Sequence, residues 1–279
     1  MSPLSNFSWS LRRELWEHRS ITLVPLAVAV VALVSFLIHV VRNPGSPAAW
    51  TAMAPARRAI AVAMPFSMAT SVILLSSFVV GVFYALDALH AERRDRSVLF
   101  WKSMPVSDTI TVLAKVAVTF AILPAFAFAA ALATQLLMLP IAYSSLPLGD
   151  LHIGRMTAVM LYGVFIHALW FAPIYAYLLL VSAWAPRAPM LWAILPFLAL
   201  VAAEKIALGS AFLLSVLRYR VLGAMTEGFT PNALRTPISE LSQLEPARFF
   251  ASPNLWFGLA FAAACIYGAI RLRRHRDPS

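Results

Sequence analysis

Residues Ile21 to Val41 form an unbroken apolar run without Asp, Glu, Lys or Arg. At about 1.5 Å per residue an α-helix of this length is about 31 Å long, matching the ~30 Å hydrocarbon core of a bilayer. Inside lipid every backbone N–H and C=O must be paired within the segment, so such a run has little choice but to be helical. Similar runs follow at about 60–86, 109–139, 157–184, 190–208 and 253–270. Composition agrees: 61% of the 279 residues are hydrophobic and 12% are charged, against roughly 45–50% and about 25% in soluble domains. The expected fold is therefore an all-α integral membrane protein with six transmembrane helices, forming one domain over 1–279. A cleaved signal peptide is not expected, because the first run exceeds the 7–15 residues of an ordinary signal core and no convincing A-x-A site follows it.

Ahead of the first span, Phe7, Leu11 and Leu15 recur at i, i+4 and i+8 with Trp16 beside them, and Arg12, Arg13, Glu14, Glu17, His18 and Arg19 lie elsewhere on the segment. This pattern predicts an amphipathic helix lying at the membrane interface. Pro44, Gly45, Pro47 and Pro55 punctuate the first connection. Span two carries a small-hydroxyl series, Ser67, Thr70, Ser71, Ser76 and Ser77, suited to close helix packing or to a polar path, with packing the preferred reading. Pro124 predicts a kink in span three. The region 209–252 reads as a helix followed by a partly structured external segment. Pro253 suits the first position of the last span, with Ser252 as its cap, and Gly258, Ala262, Cys265 and Gly268 offer small surfaces for helix contact.

With an even number of spans the two termini share a side. The short segments on that side (Arg12, Arg13, Arg19; Arg93, Arg94, Arg96, Lys102, Lys115; Arg187; Arg271, Arg273, Arg274, Arg276) hold thirteen of the 22 basic residues. The positive-inside rule then places both termini in the cytoplasm. The net charge of +10 is explained by this bias and by anionic lipid, and no nucleic-acid motif is present.

The densest polar insertion is the loop 87–108. Glu92, Arg93, Arg94, Asp95 and Arg96 form a mixed-charge cluster, followed by an apolar knob, Val98, Leu99, Phe100 and Trp101, and a turn at Pro105. Ser107 is placed to cap the next helix, with the Asp108 carboxylate at its positive end. An apolar knob between charges asks for a partner; the competing reading anchors Phe100 and Trp101 among lipid headgroups.

The segment Glu92 to Lys115, centred on DRSVLFWKSMPVSD, resembles the loop between the second and third membrane helices of bacterial ABC-2 type ABC transporter permeases, and the six-span layout agrees with that family. The resemblance implies a permease subunit of the bacterial inner membrane, acting as a homodimer or heterodimer, mostly in export. It also implies a separate ABC ATPase that binds the ATP and docks on a coupling loop comprising Glu92, Arg94, Arg96, Leu99, Phe100, Trp101, Pro105 and Asp108. The amphipathic N-terminal helix is similar to the interfacial helix of those permeases. No aromatic ladder is present, which argues against sugar polymers as substrate.

Other chemistry is sparse. No G-x-x-x-x-G-K-[ST] occurs, so this chain is not expected to bind ATP itself, and no H-E-x-x-H or G-x-S-x-G appears. The single cysteine, Cys265, excludes an intrachain disulfide and a cysteine metal cluster. Three polar residues in spans are candidates for a substrate path: Gln135, His167 and Glu204. His167 is read either as a proton or substrate group or as a neutral imidazole bonded to a neighbouring helix. Glu204 is read as facing the bundle interior or snorkelling to the interface. The alternatives to an ATP-driven permease are a self-contained secondary transporter or channel, for which internal repeats and several buried charges would be the signature, and a lipid-modifying enzyme.

Overall fold

The computed structural model describes residues 3–43, 46–95, 107–143, 145–231 and 238–275. It is 88% helical and has no strand among the described residues, so the all-α expectation holds. Twelve helices concern us in chain order: α1 (Pro3–Glu17), α2 (Ser20–Arg42), α3 (Pro47–Ala52), α4 (Pro55–Asp87), α5 (His90–Arg94), α6 (Asp108–Ala117), α7 (Leu123–Ala142), α8 (Ile153–Trp184), α9 (Pro189–Leu208), α10 (Phe212–Gly228), α11 (Pro246–Ala251) and α12 (Pro253–His275). Six segments are long and apolar enough to cross a membrane: α2, α4 with α5, α6 with α7, α8, α9 and α12. Two are longer than the apolar pattern alone marked, since α4 begins at Pro55 and α12 continues to His275. Flanking arginines extend both helices, as arginine is a good helix former.

The long helix α8 is the hub. It packs against α4, α7, α9, α10 and α12. Where it meets α4, Gly81 lies so close to Tyr175 that a methyl added to the glycine would sit 2.8 Å from the ring. Against α12 the contact is made of small residues, Ala172 and Ala176 facing Ala262 and Cys265, while Gly268 leaves room for Leu180. The small residues of the last span thus pack within this chain. By contrast α2 buries only one stripe, Ile21, Pro25, Ala29, Phe36 and Val40, and α9 buries Ala193 alone. Leu23, Val30 and Val31 on α2 and Leu195, Leu198 and Leu200 on α9 face outward, as lipid-facing residues do.

Near Pro124, where the sequence predicts a kink, the helix carries a π-helical turn over Val118–Ile122, ending one residue before Leu123 and Pro124 open α7. One extra residue in the turn absorbs the missing N–H and the ring clash of proline. In the last turns of α9, Glu204 neither faces the bundle nor snorkels: its carboxylate accepts from the Ser210 hydroxyl and from the Phe212 and Leu213 backbone N–H groups at 2.6 and 2.8 Å, capping α10. The first amides of a helix lack partners of their own, and a carboxylate satisfies them while meeting the positive end of the dipole. The described part of 209–252 is more ordered than expected, with α10, α11, a 3-10 turn at Leu241–Gln243 and a bridge between Phe229 and Leu244.

Candidate functional site: a buried charge network at the end carrying both termini

α1, the α4–α5 junction, the start of α6 and the end of α12 meet at one end of the bundle. Leu11 and Leu15 of α1 pack on a core of Ile21, Tyr84, Val118 and Tyr175, so the apolar stripe of α1 faces the protein rather than lipid. Glu14, three residues after Leu11 and about 60° from it on the wheel, is carried inward beside the stripe and is 0% exposed. Lys115 follows the same logic. Asp108, Thr111, Val112 and Lys115 lie on one face of α6, and burial of Thr111 and Val112 takes Lys115 to 1% exposure. On α12 the stripe Ala262, Cys265 and Ala269 is buried, and Arg273, one turn further on, continues that face.

The charged groups converge. Lys115 Nζ lies 2.7 Å from Glu14 Oε1 and 3.0 Å from Glu92 Oε1. Arg13 Nη2 reaches Glu92 Oε1 at 2.9 Å and Glu14 Oε1 at 2.8 Å. Arg273 donates from Nη1 to Glu92 Oε2, and from Nε to Asp108 Oδ1 at 3.0 Å. The Tyr84 hydroxyl donates to Glu14 Oε2 at 2.7 Å. Three cations, Arg13, Lys115 and Arg273, thereby face three carboxylates, Glu14, Glu92 and Asp108. Burial alone would raise the Glu14 carboxyl, but Lys115 and Arg13 outweigh it and hold its pKa below the ordinary value. Taking these ions out of water is costly, and removing one partner would strand the others.

A second clasp lies beside it. The Ser182 hydroxyl of α8 accepts from the Leu89 and His90 N–H groups, both at 2.9 Å, where α4 breaks into α5. Arg93 in return donates to the Ser182 and Ala185 carbonyls at the end of α8. Each element satisfies the orphan groups of the other's terminus. Ser107 caps α6 by accepting from Ile110 N at 3.3 Å, as expected.

These contacts change the reading of the loop 87–108. Its first part is not a solvated loop, since α4 runs to Asp87 and α5 follows. Glu92 is buried at 6% exposure inside the network, because α5 packs back on the bundle instead of projecting from it. Asp108 meets Arg273 as well as its own helix end. Arg94 remains outward, paired with Asp95 at 3.0 Å. Arg96, Leu99, Phe100, Trp101 and Pro105 lie outside the described residues.

The span residues do not converge on one path. Gln135 donates to the Thr70 hydroxyl at 2.8 Å, and Thr70 in turn donates to its own helix at Phe66 O; this ties α7 to α4 and is packing chemistry. His167 Nε2 lies 3.2 Å from the Tyr175 hydroxyl, with Phe78 and Phe171 against its ring. Its partner is thus two turns along its own helix rather than on a neighbour. Arg13, Glu14, Tyr84, Lys115, Ser182 and Arg273 were not singled out by sequence reasoning. The available signal was position: Glu14 stands at i+3 from Leu11, at the edge of the apolar stripe of α1, and Arg273 extends the Ala262–Cys265–Ala269 stripe. Comparison with family models, curated proteins and solved structures finds no match for this chain.

Proposed function

We propose that this chain is the membrane permease subunit of an ABC-2-like transporter, an exporter energised by a separate ATPase that docks on the segment between the second and third spans. The observation that supports this reading is the anchoring of that segment at both ends. At its start, α5 is clasped to α8 through Ser182 and Arg93. Glu92 and Asp108, which bracket the segment, are held by the same guanidinium of Arg273. A force applied between them therefore reaches α1, α4, α6, α8 and α12 together. A loop serving only as a connection has no need of such fastening.

On this reading the network end is cytoplasmic, the bilayer is a bacterial inner membrane, and two permease chains assemble with the ATPase. Val98 to Trp101 supply the docking knob. Burying a large aromatic contributes about 1.5–3 kcal/mol, and such residues dominate interface energies. Trp101→Ala is then expected to weaken capture of the ATPase by roughly 10–100-fold, at 1.4 kcal/mol per factor of ten, while leaving insertion intact. A photocrosslinker at Leu99 in cells should yield an adduct with a P-loop ATPase, identified by mass spectrometry. Adducts with lipid alone, or ATP hydrolysis by the purified chain free of any other subunit, would overturn the proposal.

A further inference from the structure

The outward face of α1 differs from the face that carries Glu14. Trp9, Arg12 and Trp16 recur at i, i+3 and i+7, within an arc of about 60° at 100° per residue, on the side away from Leu11, Glu14 and Leu15. Trp9 is 40% and Trp16 76% exposed, and Arg12 is exposed beside them. Arg19, also exposed, stands in the turn from which α2 starts at Ser20. Among the described residues neither Arg12 nor Arg19 is paired with a carboxylate, although Glu14, Glu17 and Glu92 are all nearby in the fold. The acids turn inward and sideways to Arg13, which takes Glu14, Glu17 and Glu92 itself.

We infer that this stripe is a binding surface for anionic phospholipid. Its position follows from the chain: Ile21 is the first buried residue of a membrane span, so the turn at Arg19 and the end of α1 lie at the depth of the headgroups. Tryptophan is favoured at that depth because its ring is amphipathic. The two guanidiniums carry uncompensated charge of the sign that phosphodiesters attract, with bidentate geometry to match. Because the opposite face of α1 is fixed to the bundle through Glu14, Lys115 and Tyr84, the stripe is held in one orientation, and headgroup binding bears directly on the buried charge network. The inference rests on the membrane assignment alone and is independent of any ATPase.

The test uses the full chain purified in detergent, offered equimolar phosphatidylglycerol and phosphatidylcholine, with retained lipid counted by native mass spectrometry. The wild type should retain phosphatidylglycerol over phosphatidylcholine by on the order of tenfold or more, given the attraction expected of two surface cations. R12Q/R19Q should lose most of that preference, whereas R271Q/R274Q, at the same end but off the stripe, should keep it. Trp16→Ala, with both cations intact, should also lower retention, which charge attraction alone does not predict. Both sites are exposed, and unchanged far-UV circular dichroism would establish that the variants fold. Equal retention of the two lipids by the wild type, or retention unchanged in R12Q/R19Q or in Trp16→Ala, would overturn the inference. Displacement of the lipid by soluble sn-glycerol 1-phosphate at equal concentration would assign the surface to free phosphate instead.

Discussion

Glu14 carries more of the structure's consequences than its place in the sequence suggests. It is fully buried, accepts from Lys115 and Tyr84, and is held ionised. Glu14→Gln keeps the shape but leaves Lys115, itself buried, with only Glu92 as counter-ion. Breaking a buried pair in this way costs about 3–5 kcal/mol, so the thermal midpoint of the purified chain should fall by several degrees. The sign of the pH dependence follows from the depressed pKa. The unfolded carboxylate protonates at about 4.5, the folded one lower, so its contribution is complete above that value and is lost as pH falls through the folded pKa. Unfolding measured from pH 7 downward should therefore show wild type and Glu14→Gln converging below about pH 4.5. A constant gap would mean that the carboxylate's charge is not what stabilises the site.

At the scale of elements, a single hydroxyl accepts two amides at the junction of α4, α5 and α8. Ser182→Ala removes the acceptor for two amides, and a buried donor left without a partner costs about 1–3 kcal/mol. Arg93→Gln removes the return contacts to the end of α8. Both changes should free α5 locally, so trypsin is expected to cut after Arg94 several-fold faster in Ser182→Ala than in wild type, with the rest of the bundle intact. Equal rates would show that α5 is held by Arg93 and the charge network without that hydroxyl. The close contact of α4 with α8 makes an independent expectation: Gly81→Val would force Tyr175 aside, and overpacking of this kind costs typically 1–3 kcal/mol. It should lower stability without altering proteolysis at Arg94.

For the whole molecule, the six spans alternate so that α1, α5, the start of α6, the end of α8 and the end of α12 gather at one end, together with Arg12, Arg13, Arg93, Arg94, Arg271, Arg273 and Arg274. Reporter fusions after Arg96, Arg187 and Arg276 should read cytoplasmic, and those after Val41, Tyr143 and Thr230 external. The inverse pattern would move the charge network to the outside and remove the basis for an ATPase docking there. The weakly attached α9, with Ala193 its one buried residue, and the outward stripe of α2 leave apolar surface for lipid, while Ala262, Cys265 and Gly268 of α12 are already engaged by α8 and Gly258 by Arg220 of α10.

The spans, their number and the helical cap at Ser107 were determined by the sequence alone, because a run of 20 or so apolar residues in lipid has one way to satisfy its backbone, and a cap depends on neighbours within three residues. The amphipathic character of α1 was legible for the same reason. Which partner its apolar stripe would meet was not: a helical wheel gives the same pattern for lipid and for a protein core, and only the docking of α1 on the start of α6 assigned Leu11 and Leu15 to the bundle. The charge network was decided wholly by tertiary structure. Its members lie as far apart in the chain as Arg13 and Arg273, and no local stretch shows which of them meet. Burial became tolerable only where three cations and three carboxylates met, a balance that no local stretch contains.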